Sequence, residues 1–193
     1  SKTRLTLDAR AQNSPSLTPS NPLPLSYLRS KYADRRDYAG DEWSGFKQRQ
    51  WMLGYSFEHE FDSGWGFNQK ARYFDVDTHQ RSVYATGTGS EVYQLNRFAY
   101  TTDEDLKSFN IDNKVTKTVA LGDWKHHLLA GFDYQKLNSH YHYRYSNYLT
   151  PPPNLDMRNP DFGLVSEDAL GLYTAQKNRL SYNQKGYYLQ DHI

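Results

Sequence analysis

The sequence predicts an all-β protein: an antiparallel up-and-down meander of about six strands, part of a transmembrane β-barrel with long extracellular loops. Three observations predict this fold. Apolar and polar side chains alternate over runs of about ten residues, the length at which a tilted strand crosses a bilayer. Long and short connections alternate along the chain. Aromatic residues make up 16% of the sequence, with 17 Tyr and 4 Trp, which is typical of strands and of membrane-interface girdles.

The first predicted strand runs from Thr3 to Gln12. Its odd-numbered positions from Leu5 to Ala11 are apolar and its even-numbered positions are polar, as in a strand with one apolar face. From Asn13 to about Gln48 the chain is rich in proline, serine, asparagine and charged residues. Proline supports neither regular strand nor helix, so this segment is predicted to be a long loop.

The clearest β-hairpin lies between Gln50 and Asp77. Its two arms, 51–61 and 65–73, alternate apolar and polar side chains, and Gln69 is the exception on the apolar side. The segment Asp62-Ser63-Gly64 between them has the residue types of a tight turn, because glycine adopts positive φ and aspartate hydrogen-bonds the following backbone. The chain is therefore expected to reverse direction there.

A polar segment from Thr78 to about Arg97 is predicted to be a second long loop. It contains Gly87 and Gly89 as a Gly-x-Gly pair, but no apolar helix follows, so a phosphate-binding loop is not favoured. The remaining elements are two strands around a short turn, a third long excursion and a last strand. In order, they are 108–119, the turn 120–123, 124–134, the excursion 138–179 and the strand from Leu180 onward.

The hairpin alone fits either a membrane barrel or a soluble β-sandwich, since both contain such hairpins. The order of the connections distinguishes them, because it reads long, short, long, short, long. Outer-membrane barrels carry short turns on one rim and long loops on the other, and a sandwich has no reason to separate them. The alternation therefore favours the barrel.

Composition excludes several classes of function. The net charge is +1 and no basic stripe is present, so nucleic acid is not an expected partner. There are no cysteines, which excludes disulfides and cysteine metal sites. No Ser/His/Asp arrangement has the context of a nucleophile elbow, and no catalytic residue is proposed. The chain begins and ends within strand pattern, and we interpret it as an internal piece of a longer protein.

Two histidine pairs are candidate metal ligands. His126 and His127 are adjacent in a strand, so their rings face opposite sides and cannot share an ion. His140 and His142 share a face, and a zinc site could use them with a carboxylate. The tyrosines that alternate with them in HYHYRYSNYL favour an extracellular surface of aromatic contact area instead, and no metal site is predicted.

The carboxylates Glu58, Glu60 and Asp62 lie on one strand face. Paired carboxylates can perform acid/base chemistry, but on the lumen side of a barrel they more often meet cations of an adjacent strand. Lys70 and Arg72 of the second hairpin arm are the expected partners.

Five segments carry a family resemblance that spans nearly the whole chain in consecutive order. They read LGYSFEHEFDSGWGFNQKARY, DEDLKSFNIDNKV, HHLLAGFDYQ, NLDMRNP and QKGYYLQD. Together they resemble the barrel of TonB-dependent ferric-siderophore receptors of the Gram-negative outer membrane, most closely the ferrichrome and hydroxamate subgroup. One departure is that the first loop reads SPSLTPSNPLPL, where the ferrichrome subgroup has an aromatic-rich stretch.

The resemblance implies a plugged barrel of about 22 strands, of which residues 1–193 supply one part without the plug. It also implies an iron-transport receptor whose ligand is a ferric siderophore, with no intrinsic cofactor. Its other partners would be outer-membrane lipid and the TonB system, reached through the missing plug. Tyr84 in SVYATG and Tyr145 in YRYSNY match the positions of loop aromatics that hold the siderophore. The alternative is a soluble, tyrosine-rich carbohydrate-binding β-sandwich module.

Overall fold

The strands form one antiparallel sheet in which each long strand pairs with the next long strand of the chain, while a short sixth strand pairs with the fourth. The computed structural model describes residues 1–16, 23–35 and 37–193. Strand neighbours in sequence are thus neighbours in space, and the predicted meander is confirmed. The strands are β1 (Lys2–Ser16), β2 (Gly45–Glu60), β3 (Trp65–Thr88), β4 (Gln94–Leu121), β5 (Trp124–Tyr145), β6 (Leu155–Asp156) and β7 (Tyr173–His192), and the helices are α1 (Leu25–Leu28) and α2 (Glu167–Leu170).

The two predicted short turns lie on one rim of the sheet. Gly64 and Gly122 have φ angles of 77° and 63°, in the left-handed region that favours glycine. At the first turn the Phe61 amide donates to the carbonyl of Trp65 over 2.9 Å, which closes the hairpin. The three other connections lie on the opposite rim, as the loop-length pattern predicted. In the described part of the chain, neither helix is long or apolar enough to cross a membrane.

The strands are much longer than the sequence predicted, and the second predicted loop is wrong. Most of the segment from Thr78 to Arg97 is strand: β3 continues to Thr88 and β4 begins at Gln94. The third excursion is shorter too, since β5 reaches Tyr145 and β7 begins at Tyr173. The first predicted loop includes residues 17–22 and 36, which lie outside the described residues.

A strand that crosses a bilayer requires roughly ten residues, but β3 and β4 have 24 and 28 residues. Beyond the part predicted to span the membrane, the strands continue because β3, β4 and β5 remain paired with one another. We call this part of the sheet the extension: residues 76–88 of β3, 94–106 of β4 and 137–145 of β5. The apolar signal of a lipid-facing strand disappears there, although the strand does not.

The outer face of the sheet carries the apolar side chains predicted to meet lipid. Leu5 and Leu7 of β1 are 60% and 74% exposed. Trp51 and Tyr73 pack at a ring-centroid distance of 5.1 Å at the upper border of this band, and Trp65 lies at the turn rim as the first residue of β3. Residues 65 to 73 of a strand tilted by about 40° span roughly 20 Å, close to the height of the apolar band in outer-membrane barrels.

Gln69, the exception on the apolar parity, is satisfied by its neighbours on the same face. Its Oε1 accepts a hydrogen bond from the hydroxyl of Tyr55 over 2.7 Å, and its Nε2 donates to Oδ1 of Asn113 over 2.6 Å. Three polar groups on adjacent strands therefore partner one another across the outer face. This arrangement allows an amide side chain in a band where unpaired polar groups are costly.

The opposite, inner face is polar, but its carboxylates have other partners than expected. The register places Asn68 opposite Glu58, and the amide of Asn68 donates to that carboxylate over 3.1 Å. Arg4 of the preceding strand approaches the same carboxylate at 3.9 Å. The predicted pairing with Lys70 and Arg72 is wrong, because these residues lie opposite Ser56 and Gly54.

On the inner face, Gly131 of β5 leaves room for an aromatic side chain from the neighbouring strand. Tyr188 of β7 lies opposite Gly131 in the register, and its hydroxyl donates to Asp112 of β4. A Cβ atom added at Gly131 would overlap the Tyr188 ring. The glycine therefore permits one side chain to link three strands.

Above the apolar band, two loops pack on the outer face of the extension. Val83 and Ala99 form a buried cluster with Val165 and Leu170 of the loop 146–172. A second cluster joins Leu95 of β4 to residues of the loops 23–44 and 146–172. Its buried members are Tyr27, Ala39, Leu95, Leu155 and Met157. The main apolar core of the chain thus lies between the extension and these loops.

A buried ion pair joins the same layers. The side chains of Arg97 in β4 and Asp41 in the first loop are both 0% exposed, and Nη1 of Arg97 lies 3.0 Å from Oδ2 of Asp41. Arg97 also donates to the carbonyls of Gly40 over 3.1 Å and Pro153 over 2.8 Å. Burial lowers the pKa of Arg97, and the attraction of Asp41 opposes this shift. One guanidinium thus connects β4 to both loops.

Substitution of Gly131 by Ala should destabilise the protein by about 1 to 3 kcal/mol, because the new methyl group overlaps the Tyr188 ring and a packed face tolerates added volume poorly. Gly45→Ala is the matched control, since nothing lies within 4 Å of the corresponding Cβ position. Urea unfolding in detergent micelles measures both variants. Equal midpoints for the two would contradict the packing argument.

Substitution of Asp41 by Asn should lower stability by about 3 to 5 kcal/mol, because it leaves the Arg97 charge buried and uncompensated. The control is Asp156→Asn, which removes a partner of Arg158 in an exposed pair and should change stability little. Thermal unfolding of both variants provides the test. An Asp41→Asn protein as stable as the control would show that the buried pair does not hold the loops.

The isolated chain should require detergent or associate with itself. Its outer face exposes apolar side chains, and within the described residues β1 pairs only with β2 and β7 only with β5, so both edges can accept further strands. Light scattering and dye binding with and without detergent measure this. A monodisperse monomer in plain buffer that binds no hydrophobic dye would be the contrary result.

Candidate functional site

Six aromatic rings form a continuous surface, here called the aromatic wall, on the inner face near the loop rim. They come from β3, β4, β5 and the first residue of β7. Members are Tyr84, Phe98, Tyr100, Tyr143, Tyr145 and Tyr173. Each ring lies within about 6 Å of a neighbouring ring, the separation at which aromatic pairs interact favourably.

The wall brings together the two residues selected from the sequence. Tyr84 packs on Phe98 at 5.5 Å, and Phe98 stacks on Tyr145 at 5.7 Å with an interplanar angle of 27°. A second path runs from Tyr84 through Tyr100 and Tyr143 to Tyr145, with centroid separations of 6.1, 5.9 and 5.9 Å. Tyr173 extends the wall from Tyr145 at 5.7 Å.

Strand register produces this arrangement. Tyr84 lies opposite Phe98 in the β3–β4 ladder, and Tyr100 lies opposite Tyr145 in the β4–β5 ladder. Side chains on one parity of adjacent strands share a face, so these four rings become neighbours once the ladders extend to that height. At the end of the β4–β5 ladder, Ser146 donates its amide to the Ala99 carbonyl over 2.8 Å and accepts the Ala99 amide at its hydroxyl over 3.1 Å.

The phenols of Tyr84 and Tyr143 remain neutral donors at neutral pH. Partial burial raises the pKa of Tyr84, and the nearby Tyr100 raises it further. Burial and the surrounding phenols raise the pKa of Tyr143 in the same direction. Nε2 of Gln80 donates to the hydroxyl of Tyr100 over 3.0 Å, which orients that ring. The site therefore offers flat apolar faces together with uncharged hydroxyl groups.

The expected location of Tyr84 and Tyr145 in separate loops is wrong, because both lie on strands of the extension. Their assignment as ligand contacts stays a prediction. Sequence reasoning missed four other members of the same surface, which are Phe98, Tyr100, Tyr143 and Tyr173. The sequence shows that Tyr143 and Tyr145 share one face of a strand. Only the register of the β3–β4 and β4–β5 ladders shows which rings of the neighbouring strands lie beside them.

The histidines considered as metal ligands have hydrogen-bonding partners of their own. Nδ1 of His140 lies 3.2 Å from Asp105, and Nε2 of His142 lies 3.0 Å from the hydroxyl of Thr174. Both belong to the outer parity of β5, opposite to the tyrosines between them. Across residues 1–16, 23–35 and 37–193, no group of three or more His, Cys, Asp or Glu side chains is arranged to hold a metal ion.

His126 and His127 lie on opposite faces, as predicted from their adjacency. His126 contacts Asp191 of β7 at 2.8 Å, whereas His127 contacts Thr118 of β4 at 3.0 Å. Each ring thus bridges to a different neighbouring strand.

Comparison with known proteins gives a family and several relatives. The family described as TonB dependent receptor-like, beta-barrel, matches residues 2–193. The ferrioxamine B receptor of Salmonella typhimurium is 32% identical over 197 residues, covering 100% of this chain and 27% of the receptor. The ferrichrome outer membrane transporter/phage receptor of Escherichia coli K12 is 28% identical over 168 residues, covering 76% and 22%. The chain thus spans about a quarter of the length of these curated relatives.

Solved structures share the fold. The ferric-catecholate import receptor Fiu of Escherichia coli K12, in its closed form, superimposes with a TM-score of 0.74 at 16% identity, covering 98% of this chain and 29% of that receptor. A chain of the FpvAI–pyocin S2 complex gives a TM-score of 0.75 at 19% identity, covering 99% and 26%. With the family match over nearly the whole sequence, these findings confirm the resemblance: the chain belongs to the TonB-dependent receptor β-barrel family of the Gram-negative outer membrane.

Proposed function

We propose that the chain is the partial barrel of an outer-membrane receptor that captures a ferric siderophore on the aromatic wall and imports it with energy from the TonB system. The plug domain through which TonB acts would lie outside residues 1–193. The relatives support a siderophore as the ligand, since two of them are named as receptors for ferrioxamine. The transported iron complex is the substrate, and no resident cofactor is part of the proposal.

The observation that carries the proposal is the continuity of the aromatic wall. Tyr84 and Tyr145, the two tyrosines that the family resemblance indicates, are 61 residues apart in sequence. The ring of Phe98 packs against both of them. Aromatic rings provide large contact area with little loss of side-chain entropy, and phenols add hydrogen-bond donors. A compact organic shell around iron fits such a surface.

Below the wall, the inner face supplies a polar surface along which a released ligand would move. A concavity of about 580 Å³ in the membrane-spanning part is lined by residues such as Asp8, Lys70, Arg72, Asn110 and Asp133. Mixed charges and amides of this kind line the interior of transport barrels, where they contact water and solute. Import requires a surface that captures the ligand at the rim and a hydrated interior below that surface. The aromatic wall and the polar inner face follow this order.

The hydroxamate class is the proposed chemistry of the ligand. The ferrioxamine receptors of Salmonella and Yersinia are both 32% identical to the chain, and the ferrichrome transporter is 28% identical. The structural neighbours, at 16% and 19% identity, indicate the fold and not the ligand. The soluble carbohydrate-binding module finds no support in these relatives, which are membrane receptors.

Substitution of Tyr84 or Tyr145 by Ala in the complete receptor should weaken binding of a ferric trihydroxamate by about 1 to 2 kcal/mol, roughly tenfold in affinity. Each change removes one of the two rings that pack against Phe98, Tyr84 from β3 or Tyr145 from β5. Fluorescence quenching during titration measures the affinity, and Tyr→Phe variants separate the ring from its hydroxyl group.

Tyr148→Ala is the matched control, because that ring is 87% exposed in the loop just after the wall. Tyr143, which also alternates with the histidines, is unsuitable as a control since it packs between Tyr100 and Tyr145. Unchanged affinity in both Ala variants, with folding intact, would rule out the wall as the binding surface.

A further inference from the structure

The inner face of the extension is almost free of acidic and basic side chains. Inner-face positions are the even-numbered residues in 76–84 of β3 and 98–106 of β4, and the odd-numbered residues in 137–145 of β5. They carry neutral side chains with one exception, Glu104. The aromatic wall occupies the top of this neutral surface.

Charges are abundant on the other side of the same strands. On the outer face Arg49 pairs with Asp77 at 2.7 Å, and Arg144 lies 3.6 Å from Asp103 and 3.1 Å from Glu167. His140 contacts Asp105 at 3.2 Å. The neutrality of the inner face is therefore a property of that face and not of the segment.

Glu104 occupies a defined place on the neutral surface. It lies opposite Thr78 in one ladder and opposite Tyr141 in the other, and its carboxylate is exposed. Its chain neighbours Asp103 and Asp105 point to the outer face, where they meet histidines. Within the described residues Glu104 makes no ion pair.

The distance from Glu104 to the wall suits contact with one bound ligand. Tyr141 and Tyr143 are two residues apart on one strand, so Glu104 lies one repeat, roughly 7 Å, below the level of Tyr143. A charge this close to a ligand on the wall is within the screening length of about 8 Å at physiological ionic strength. The carboxylate therefore acts on whatever charge the ligand carries.

The charge of an iron complex depends on its chelating groups. Three singly charged hydroxamates neutralise Fe³⁺, whereas three doubly charged catecholates leave a net charge of −3. A neutral wall beside one carboxylate repels the second kind of complex and accepts the first. A protonated amine on the periphery of a hydroxamate complex would gain further from the carboxylate.

We propose that Glu104 determines the charge preference of the site: it selects ferric trihydroxamates over anionic complexes and receives a cationic ammonium group carried by the ligand. This inference rests on the proposed function and adds the charge class of the ligand and a specificity-determining residue. Glu104 touches the arm of the ligand and not the iron centre, while the aromatic wall supplies the contact common to all ligands.

The test uses the complete receptor and two ferric trihydroxamates that differ at one group: one bears a free primary amine and the other has that amine acetylated. The amine form should bind the native receptor about fivefold more tightly, a difference that corresponds to one partly screened ion pair. Glu104→Gln should remove this difference and leave the affinity for the acetylated form unchanged. Asp105→Asn, on the outer face, should preserve the difference.

The outcomes separate the two proposals. If both forms bind the native receptor equally, or if the preference persists in Glu104→Gln, the role of Glu104 is overturned while siderophore binding stands. If Glu104→Gln weakens both forms alike, the residue is structural and the inference also fails. If neither form binds the native receptor, the proposed function itself fails.

Discussion

The alternation of side chains along an unbroken ladder is the constraint on which the rest of the structure depends. The β3–β4 pairing runs from Trp65 opposite Lys117 to Tyr84 opposite Phe98 without a change of register, and its bulge comes only between Ala85 and Gly87. The face that carries the apolar side chains below is thus the face that meets the loops above. The face that is polar below becomes the aromatic wall above. A single inserted residue in this stretch would exchange the two faces.

The loops and the wall depend on each other through the strands between them. Val83 and Ala99 pack against the loop 146–172 on one side, while their chain neighbours Tyr84 and Phe98 form the wall on the other. Burial of Arg97 with Asp41 costs desolvation that the ion pair and two carbonyl hydrogen bonds offset. The benefit is a fixed position, because the strands of the extension are held above the apolar band by a core of their own.

The sequence predicted the hairpin, both short turns, the meander and the rim on which the loops lie, because turn glycines and two-residue periodicity are local signals. It failed to predict how far the strands continue. In 78–97 the outer face meets loop residues distant in sequence, and no local pattern reveals a strand stabilised by such contacts. The contact of Tyr84 with Tyr145 through Phe98 required the register, as did the partner of Glu58. Resemblance could select individual positions but could not assemble them into a surface.

The position of the wall has a further consequence for how the site is built. Tyr84, Phe98 and Tyr145 lie on three consecutive strands, so their juxtaposition is determined within this chain and does not depend on how a barrel closes. A ligand pocket ordinarily buries most of its ligand, and one wall can cover only one side of a compact complex. Under the proposed function, the opposite side of the siderophore would be covered by other parts of a complete receptor, since the chain spans 27% of the ferrioxamine B receptor of Salmonella typhimurium. Under that proposal, the aromatic contacts and the neutral inner face come from this chain, and full affinity would be shared with the surfaces that cover the rest of the ligand.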